Sequence, residues 1–411
     1  MKKWTSLILA LVLTLCVGLA SAETLTYWSL FDGGESDVMQ GIVDAWNATD
    51  PEYKIDHVTL KSSEYYTKLV TAVAGGQGPD IGISHVAKLA ELVENGVVTP
   101  LDSFAEEASF GWDGLNAAIM KGCVVDGETY AVPLDTHCQV LYYNKDLLAD
   151  MLNEDGSLTV PQDSEEFITW LQGIQEKIGP DKYALAIKSI KADTFRMWWS
   201  LYHQAGGAPV ITSDLEITLN KDIMIKTLEY MNRWYHSGIC PLNLDDSSGA
   251  FSNGNAAITF QGVWKTYPYE NTEGLNFGIE LFPQLFHDAD YTVWGDSHTL
   301  IMPYNAKADE ARQKAIFEFF EFASNNSMEW GARAGHIVAN TSVVESEEFK
   351  ALPYRSKTAA AANSVIFFEP NAYSYPVRDI LIANIGAYLT GTIDAETAYN
   401  ESVAEIEATI Q

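Results

Sequence analysis

AVAGGQGPDIGISHV, residues 72–86, carries the end of a helix, a break and a strand in one short stretch. The helical run stops at Gly75-Gly76, Pro79 follows, and Ile81-Gly82-Ile83 emerges as an apolar strand that ends on Ser84 and His85. The residues before it alternate in the same manner. Leu25 to Leu30 reads as a strand. Ser36 caps a helix whose inward face is Val38, Met39, Ile42, Val43 and Trp46, and Pro51 ends it. Ile55 to Leu60 is a second strand, and Ser63 caps a helix with Tyr66, Leu69, Val70 and Val73 inward. The order βαβαβ predicts a parallel sheet with right-handed crossovers, and all three strand ends then share the edge where open α/β sheets bind ligands. Trp28 and Asp32 belong to the first strand end, Lys61 and Ser62 to the second, and Ser84 and His85 to the third, so a polar and aromatic rim is expected there.

Further on, GETYAVPLDTHCQVLYYNKDLL (Gly127–Leu148) leaves a turn at Asp126-Gly127, runs extended through Pro133 and enters a helix near Lys145, the pattern of a strand crossing into a second lobe. LFPQLFHDADYTVWGDSHTLIMP (Leu281–Pro303) reads as a second crossing. Between them, FRMWWSLYHQAGGAPV (Phe195–Val210) is a helix ended by Gly206-Gly207, Asp222 to Ser237 is another, and Ala256 to Phe260 is a strand that exits into Gln261-Gly262-Val263-Trp264. Helices are expected at Asp309–Ala323, Pro376–Leu389 and Ala395–Ile410.

The 411 residues, 47% hydrophobic and 20% charged, suffice for two cores. Residues 1–22 read as a secretory signal: Lys2-Lys3, an apolar run Leu7–Leu15, and the small-residue site Ala20-Ser21-Ala22, which places the mature start at Glu23. Lipid anchoring at Cys16 is disfavoured because Leu15 precedes it where that processing wants a small residue. No later run approaches the roughly 20 apolar residues of a membrane helix. Removing Lys2 and Lys3 from 25 basic residues leaves 23 against 56 acidic ones, a net charge of −33 that repels phosphate backbones and excludes nucleic acid as a partner. Cys123, Cys138 and Cys240 remain after the signal, with no C-x-x-C; at most one bridge is open to them, Cys123 to Cys138 being the most local.

Thr136-His137, Gly262-Val263-Trp264 and Trp294-Gly295-Asp296-Ser297-His298 each place an aromatic or imidazole beside a small residue at a strand end or crossing. Carbohydrate suits that mixture. The C–H face of a pyranose packs on an aromatic ring, while its hydroxyls need paired donors and acceptors. Gly262 lets the backbone at Trp264 approach something closely, whereas Trp170, Trp198 and Trp199 fall at helical core positions. Catalysis finds no motif: GISHV (Gly82–Val86) lacks the last glycine of a nucleophile elbow, and no carboxylate pair stands out. Ser248 occupies the invariant glycine position of a calcium loop in NLDDSSG (Asn243–Gly249). Asp135, His137, Asp296 and His298 could ligate a metal but lack the tight spacing that advertises one, so no metal and no cofactor is assigned.

Taken in order, GGQGPDIGIS (Gly75–Ser84), YAVPLDTHCQVLYYNKDLL (Tyr130–Leu148), GNAAITFQGVW (Gly254–Trp264) and AGHIVANTSVV (Ala334–Val344) resemble the family 1 extracellular solute-binding proteins of sugar-import ABC transporters, the maltodextrin-binding proteins among them. The resemblance spans essentially the whole chain after the signal. It implies an α/β protein of the periplasmic-binding-protein type II fold, two α/β lobes with a hinged cleft. Lobe one would comprise residues 23–135 and 294–338, and lobe two 136–293 and 339–411. It implies ligand contacts at Ser84 and His85, a hinge-proximal contact at His137 where the maltodextrin proteins have a carboxylate, and a stacking role for Trp264. A third hinge would lie near Trp330 and His336, with Val338 where the family usually has proline. With the residues argued above, the expected binding set is Trp28, Asp32, Ser84, His85, Asp135, His137, Trp264, Trp294, Asp296 and His298. The implied protein is no enzyme but a monomeric, extracytoplasmic binder that closes on a carbohydrate and presents it to a membrane permease. The alternatives are the same fold holding a polyamine or other small polar solute between aromatics and carboxylates, and an exported carbohydrate-active enzyme.

Overall fold

The structure, a computed structural model, describes residues 23–31 and 34–411. The expected signal segment, with Cys16, and Asp32 of the expected rim lie outside the described residues. β1 (Glu23–Ser29), α1 (Gly34–Ala48), β2 (Tyr53–Thr59), α2 (Ser62–Ala74) and β3 (Ile81–His85) follow one another as the periodicity predicts. β1 lies between β2 and β3 and is parallel to both. α1 buries all five predicted inward residues. Both helices start earlier than the predicted caps, α1 at Gly34 and α2 at Ser62, so Ser36 and Ser63 fall in first turns.

Gly76, at φ +65°, takes the left-handed turn that ends α2. The Gly-Pro-Asp that follows is a fastening. The buried Asp80 carboxylate accepts from the Thr26 amide at 2.7 Å and is gripped by Arg312 through Nε and Nη2, each at 2.7 Å. This two-point pair ties the start of β3 to β1 and to the helix Glu310–Asn325. Two antiparallel neighbours complete the sheet: His298–Ile301 pairs with β3, and β4 (Ala131–Pro133) pairs with His298–Ile301.

One residue after β4 the chain enters β5 (Asp135–Asn144), buried at all ten positions. β5 is the spine of the second sheet. It pairs antiparallel with Ala256–Gly262, Phe277–Leu281, Val293–Asp296 and Ile337–Val338. The helices Ala192–Gln204, Lys221–His236, Ser374–Leu389 and Ala395–Ile410 belong to this half, each within a few residues of the span expected from its periodicity and stops. Trp198 and Trp199 are fully buried, as the helical spacing predicts.

Two hydrophobic cores result. One draws on residues from Leu25 to Leu134 and from Leu300 to Phe349; the other holds Cys138 to Trp294 and Ala361 to Ile406 and takes in Ala87 and Ile337. At the third crossing Ile337 packs in the second core while Val338 and Ala339 pack in the first. Cys123, Cys138 and Cys240 are buried and free, so the stability of the described chain comes from packing rather than from a bridge. Among the described residues no helix is long and apolar enough to cross a membrane.

Candidate functional site

Three segments cross between the two cores, and they meet edge to edge. His137 pairs with Asp296 across the strands, Thr136 with Ile337 and Asp135 with Val338. Each crossing brings one imidazole to the seam: His137, His298 and His336. Their ring centroids are 4.5 Å (His137–His298), 5.4 Å (His137–His336) and 5.2 Å (His298–His336) apart. His85, at the end of β3, adds a fourth ring 4.8 Å from His298, and its Nδ1 lies 2.7 Å from the Tyr66 hydroxyl.

Asp135 is the hub. Its fully buried carboxylate accepts from Nδ1 of His137 at 3.1 Å, from Nδ1 and the amide of His298 at 2.9 and 3.2 Å, and from Nε1 of Trp330 at 2.6 Å. Burial alone would push this acid up; the imidazoles of His298 and His336 and the hydrogen bonds hold it well below the ordinary carboxylate range. The same contact raises His298 against the effect of burial. Burial and the neighbouring His298 push His137 down to about 3. Glu35, in the first turn of α1, bonds Nε2 of His336 at 2.9 Å, and that bond carries its carboxyl downward against burial. Asp296, by contrast, is pushed up to about 6 by burial and accepts from the amides of Ser297 and Ala87.

The seam floors an interlobe cleft with two adjoining chambers of about 570 and 340 Å³, which share Leu30, Ser62, His85, His137 and Arg196. Trp264 lines the larger and Trp294 the smaller, their indoles edge to face at 6.4 Å. Arg196 spans them, its guanidinium 4.9 Å from one ring and 4.5 Å from the other. A Cβ on Gly262 would come within 2.0 Å of the Trp264 ring, so the close approach that glycine permits is to the indole itself. A larger depression of about 830 Å³ in the second lobe, against Gln172, Tyr183 and Pro241, has no Trp or His in its lining.

Seven of the expected residues converge here: His85, Asp135, His137, Trp264, Trp294, Asp296 and His298. Two do not line the cleft. Ser84 is fully buried, with its hydroxyl on the His85 carbonyl, and Trp28 packs against the first core, because strand alternation turns both away from the opening. Asp296, expected beside Asp135 in a ligand set, is replaced there by His336. The residues alone had not pointed to Arg196, Tyr375, Arg378 or Glu35. Each of these lies on a helix, where nothing local shows which way a polar side chain faces.

Residues 41–357 match the model of the bacterial extracellular solute-binding protein family. A maltooligosaccharide ABC transporter solute-binding lipoprotein of Streptococcus pneumoniae is 25% identical over 311 residues, 70% of this chain and 67% of that one. The sn-glycerol-3-phosphate-binding periplasmic protein UgpB of Yersinia enterocolitica is 21% identical over 360 residues, 83% and 80% of the two chains. Among solved structures, the maltose/maltodextrin-binding domain MalE of Bdellovibrio bacteriovorus, bound to maltotriose, superposes with a TM-score of 0.79 at 18% identity, covering 94% of this chain and 99% of that one. UgpB of Mycobacterium tuberculosis, in complex with glycerophosphocholine, gives 0.82 at 17% identity, with 95% and 99% coverage.

Proposed function

The chain belongs to the bacterial extracellular solute-binding proteins, and from that premise we propose that it captures a mono- or oligosaccharide between its lobes and hands it to the membrane permease of an ABC importer. The observation that carries this reading is the meeting, at one interlobe cleft, of the paired indoles of Trp264 and Trp294 with the polar floor of His137, Asp135 and His298. Indole faces take the C–H surface of a sugar ring, and the imidazoles exchange hydrogen bonds with its hydroxyls. An unmatched buried hydroxyl costs about 1–3 kcal/mol, so this polar set decides which sugar is accepted. His85 and Ser62 come from the first lobe and Trp264 from the second, so a solute bridging them stabilises the closed form by its differential affinity. The binder acts as a monomer, exported by cleavage after Ala22 and kept off nucleic acid by its acidity.

A second reading, a phosphorylated polyol, is favoured by one observation: three of the six arginines, Arg196, Arg333 and Arg378, line the cleft of a chain whose formal charge is −31. The same guanidinium groups oppose a polyamine.

Thermal unfolding in the presence of neutral mono- and oligosaccharides, glycerol 3-phosphate and spermidine separates these readings. A ligand that binds the folded state alone, at a hundred times its Kd, adds about 2.7 kcal/mol. Carbohydrate capture predicts a shift with a neutral sugar; a shift with glycerol 3-phosphate alone, or with spermidine alone, contradicts it.

A further inference from the structure

The seam contains more imidazole than a sugar floor requires, and its hydrogen bonds impose a pattern on the rings. Nδ1 of His137 and Nδ1 of His298 both donate to Asp135, which turns Nε2 of each ring away from the carboxylate. His336 is held the other way round: Nε2 faces Glu35, and its buried Nδ1 has no hydrogen-bond partner among the described residues. Each of the three rings therefore has one nitrogen anchored on a carboxylate and the other left over. That is the arrangement by which outer carboxylates fix the tautomer and aim of metal-ligating histidines.

The distances agree. One donor atom from each of Asp135, His137, His298 and His336 lies within 4.8 Å of the others. An ion about 2.0–2.1 Å from each of three imidazole nitrogens sets their ring centroids roughly 4.5–5.2 Å apart. Two of the observed separations, 4.5 and 5.2 Å, fall in this range and the third, 5.4 Å for His137–His336, lies 0.2 Å beyond it. Asp135 already accepts four hydrogen bonds, so it serves as the outer carboxylate, with Glu35 as its counterpart on His336.

We propose that His137, His298 and His336 form a binding site for a divalent first-row transition metal ion, of the borderline class typified by zinc, at the floor of the cleft. Imidazole donors suit that class, and carboxylate-rich calcium or magnesium sites are built otherwise. The ion displaces any proton carried by Nε2 of His298. All three residues line the larger chamber of the cleft. The three ligands lie one on each crossing segment. The site goes beyond carbohydrate capture and does not rest on it.

The test is titration of zinc, by calorimetry, into the purified chain after stripping with EDTA, with Co(II) absorption as a second readout. One ion per chain should bind with micromolar affinity or tighter, and Co(II) should show the strong visible bands of a low-coordinate, nitrogen-rich site. His298→Ala and His336→Ala should each weaken zinc at least tenfold, and Asp135→Asn by 10- to 100-fold through its anchoring of two rings. Substitution of the exposed His236 or His287 by alanine should change nothing. Absence of saturable zinc binding, or binding that survives His298→Ala and His336→Ala in folded protein, overturns the proposal. The sugar panel run in EDTA reads carbohydrate capture separately, so either can fail while the other stands.

Discussion

Trp264 owes its place to Gly262. The indole lies over the backbone of Gly262 so closely that a Cβ there would overlap the ring, and Arg196 covers both this indole and that of Trp294. Orientation, rather than the mere presence of an aromatic, is thus what the site depends on. Gly262→Ala should rotate the indole out and raise the Kd for the bound sugar by at least tenfold while the fold survives. Trp264→Ala should raise it by about 10- to 100-fold, a loss of roughly 1.4–2.8 kcal/mol. Calorimetry on the two variants checks both, and a Gly262→Ala protein of unchanged affinity would show that the indole does not carry the contact. The residues that could be read from sequence were those whose meaning is local. His137, Trp294 and His298 lie at strand ends, where an aromatic or imidazole beside a small residue has few other uses. Glu35 could not be read, because its partner His336 lies 301 positions away.

Among the elements, β1 to β3 were legible because each carries its own apolar run and each helix its own stop, Pro51 or Gly75-Gly76. β5 was legible as a crossing but not as a spine: its partners in Ala256–Gly262, Phe277–Leu281 and Val293–Asp296 are more than a hundred residues distant, and pairing over such separations leaves no local signature. The helix Ala192–Gln204 shows the same limit. Its run of Phe195, Trp198, Trp199 and Tyr202 reads as core, and that reading is sound, yet it hides Arg196, which lines the cleft beside Phe195. This helix also carries His203, which burial pushes down to about 4. A histidine depressed in the folded state takes up protons more readily when unfolded, so its contribution is intact above about pH 6.5 and is lost as pH falls toward 4. The shift corresponds to about 3 kcal/mol across that window. His203→Gln should flatten the pH dependence of stability by that order; denaturant unfolding at pH 7 and pH 4.5 measures it, and an unchanged slope would exclude His203 as a source.

For the whole molecule, the two cores are joined by crossings that do double duty. They are the hinge, and they are the floor of the site. Contacts also form across the mouth: Tyr375, from the helix Ser374–Leu389, has its ring 5.9 Å from that of Tyr66 and 4.8 Å from Nζ of Lys88, both in the first lobe. A solute held between His85 and Trp264 would favour these contacts. The type II periplasmic-binding fold shared with MalE and UgpB makes such closure mechanically available; the chemistry of the floor decides what triggers it. Small-angle X-ray scattering, with and without the neutral sugar that the unfolding panel selects, tests this most directly. A saturating sugar should reduce the radius of gyration along a curve that follows its binding isotherm. Full occupancy with no contraction would contradict capture by lobe closure.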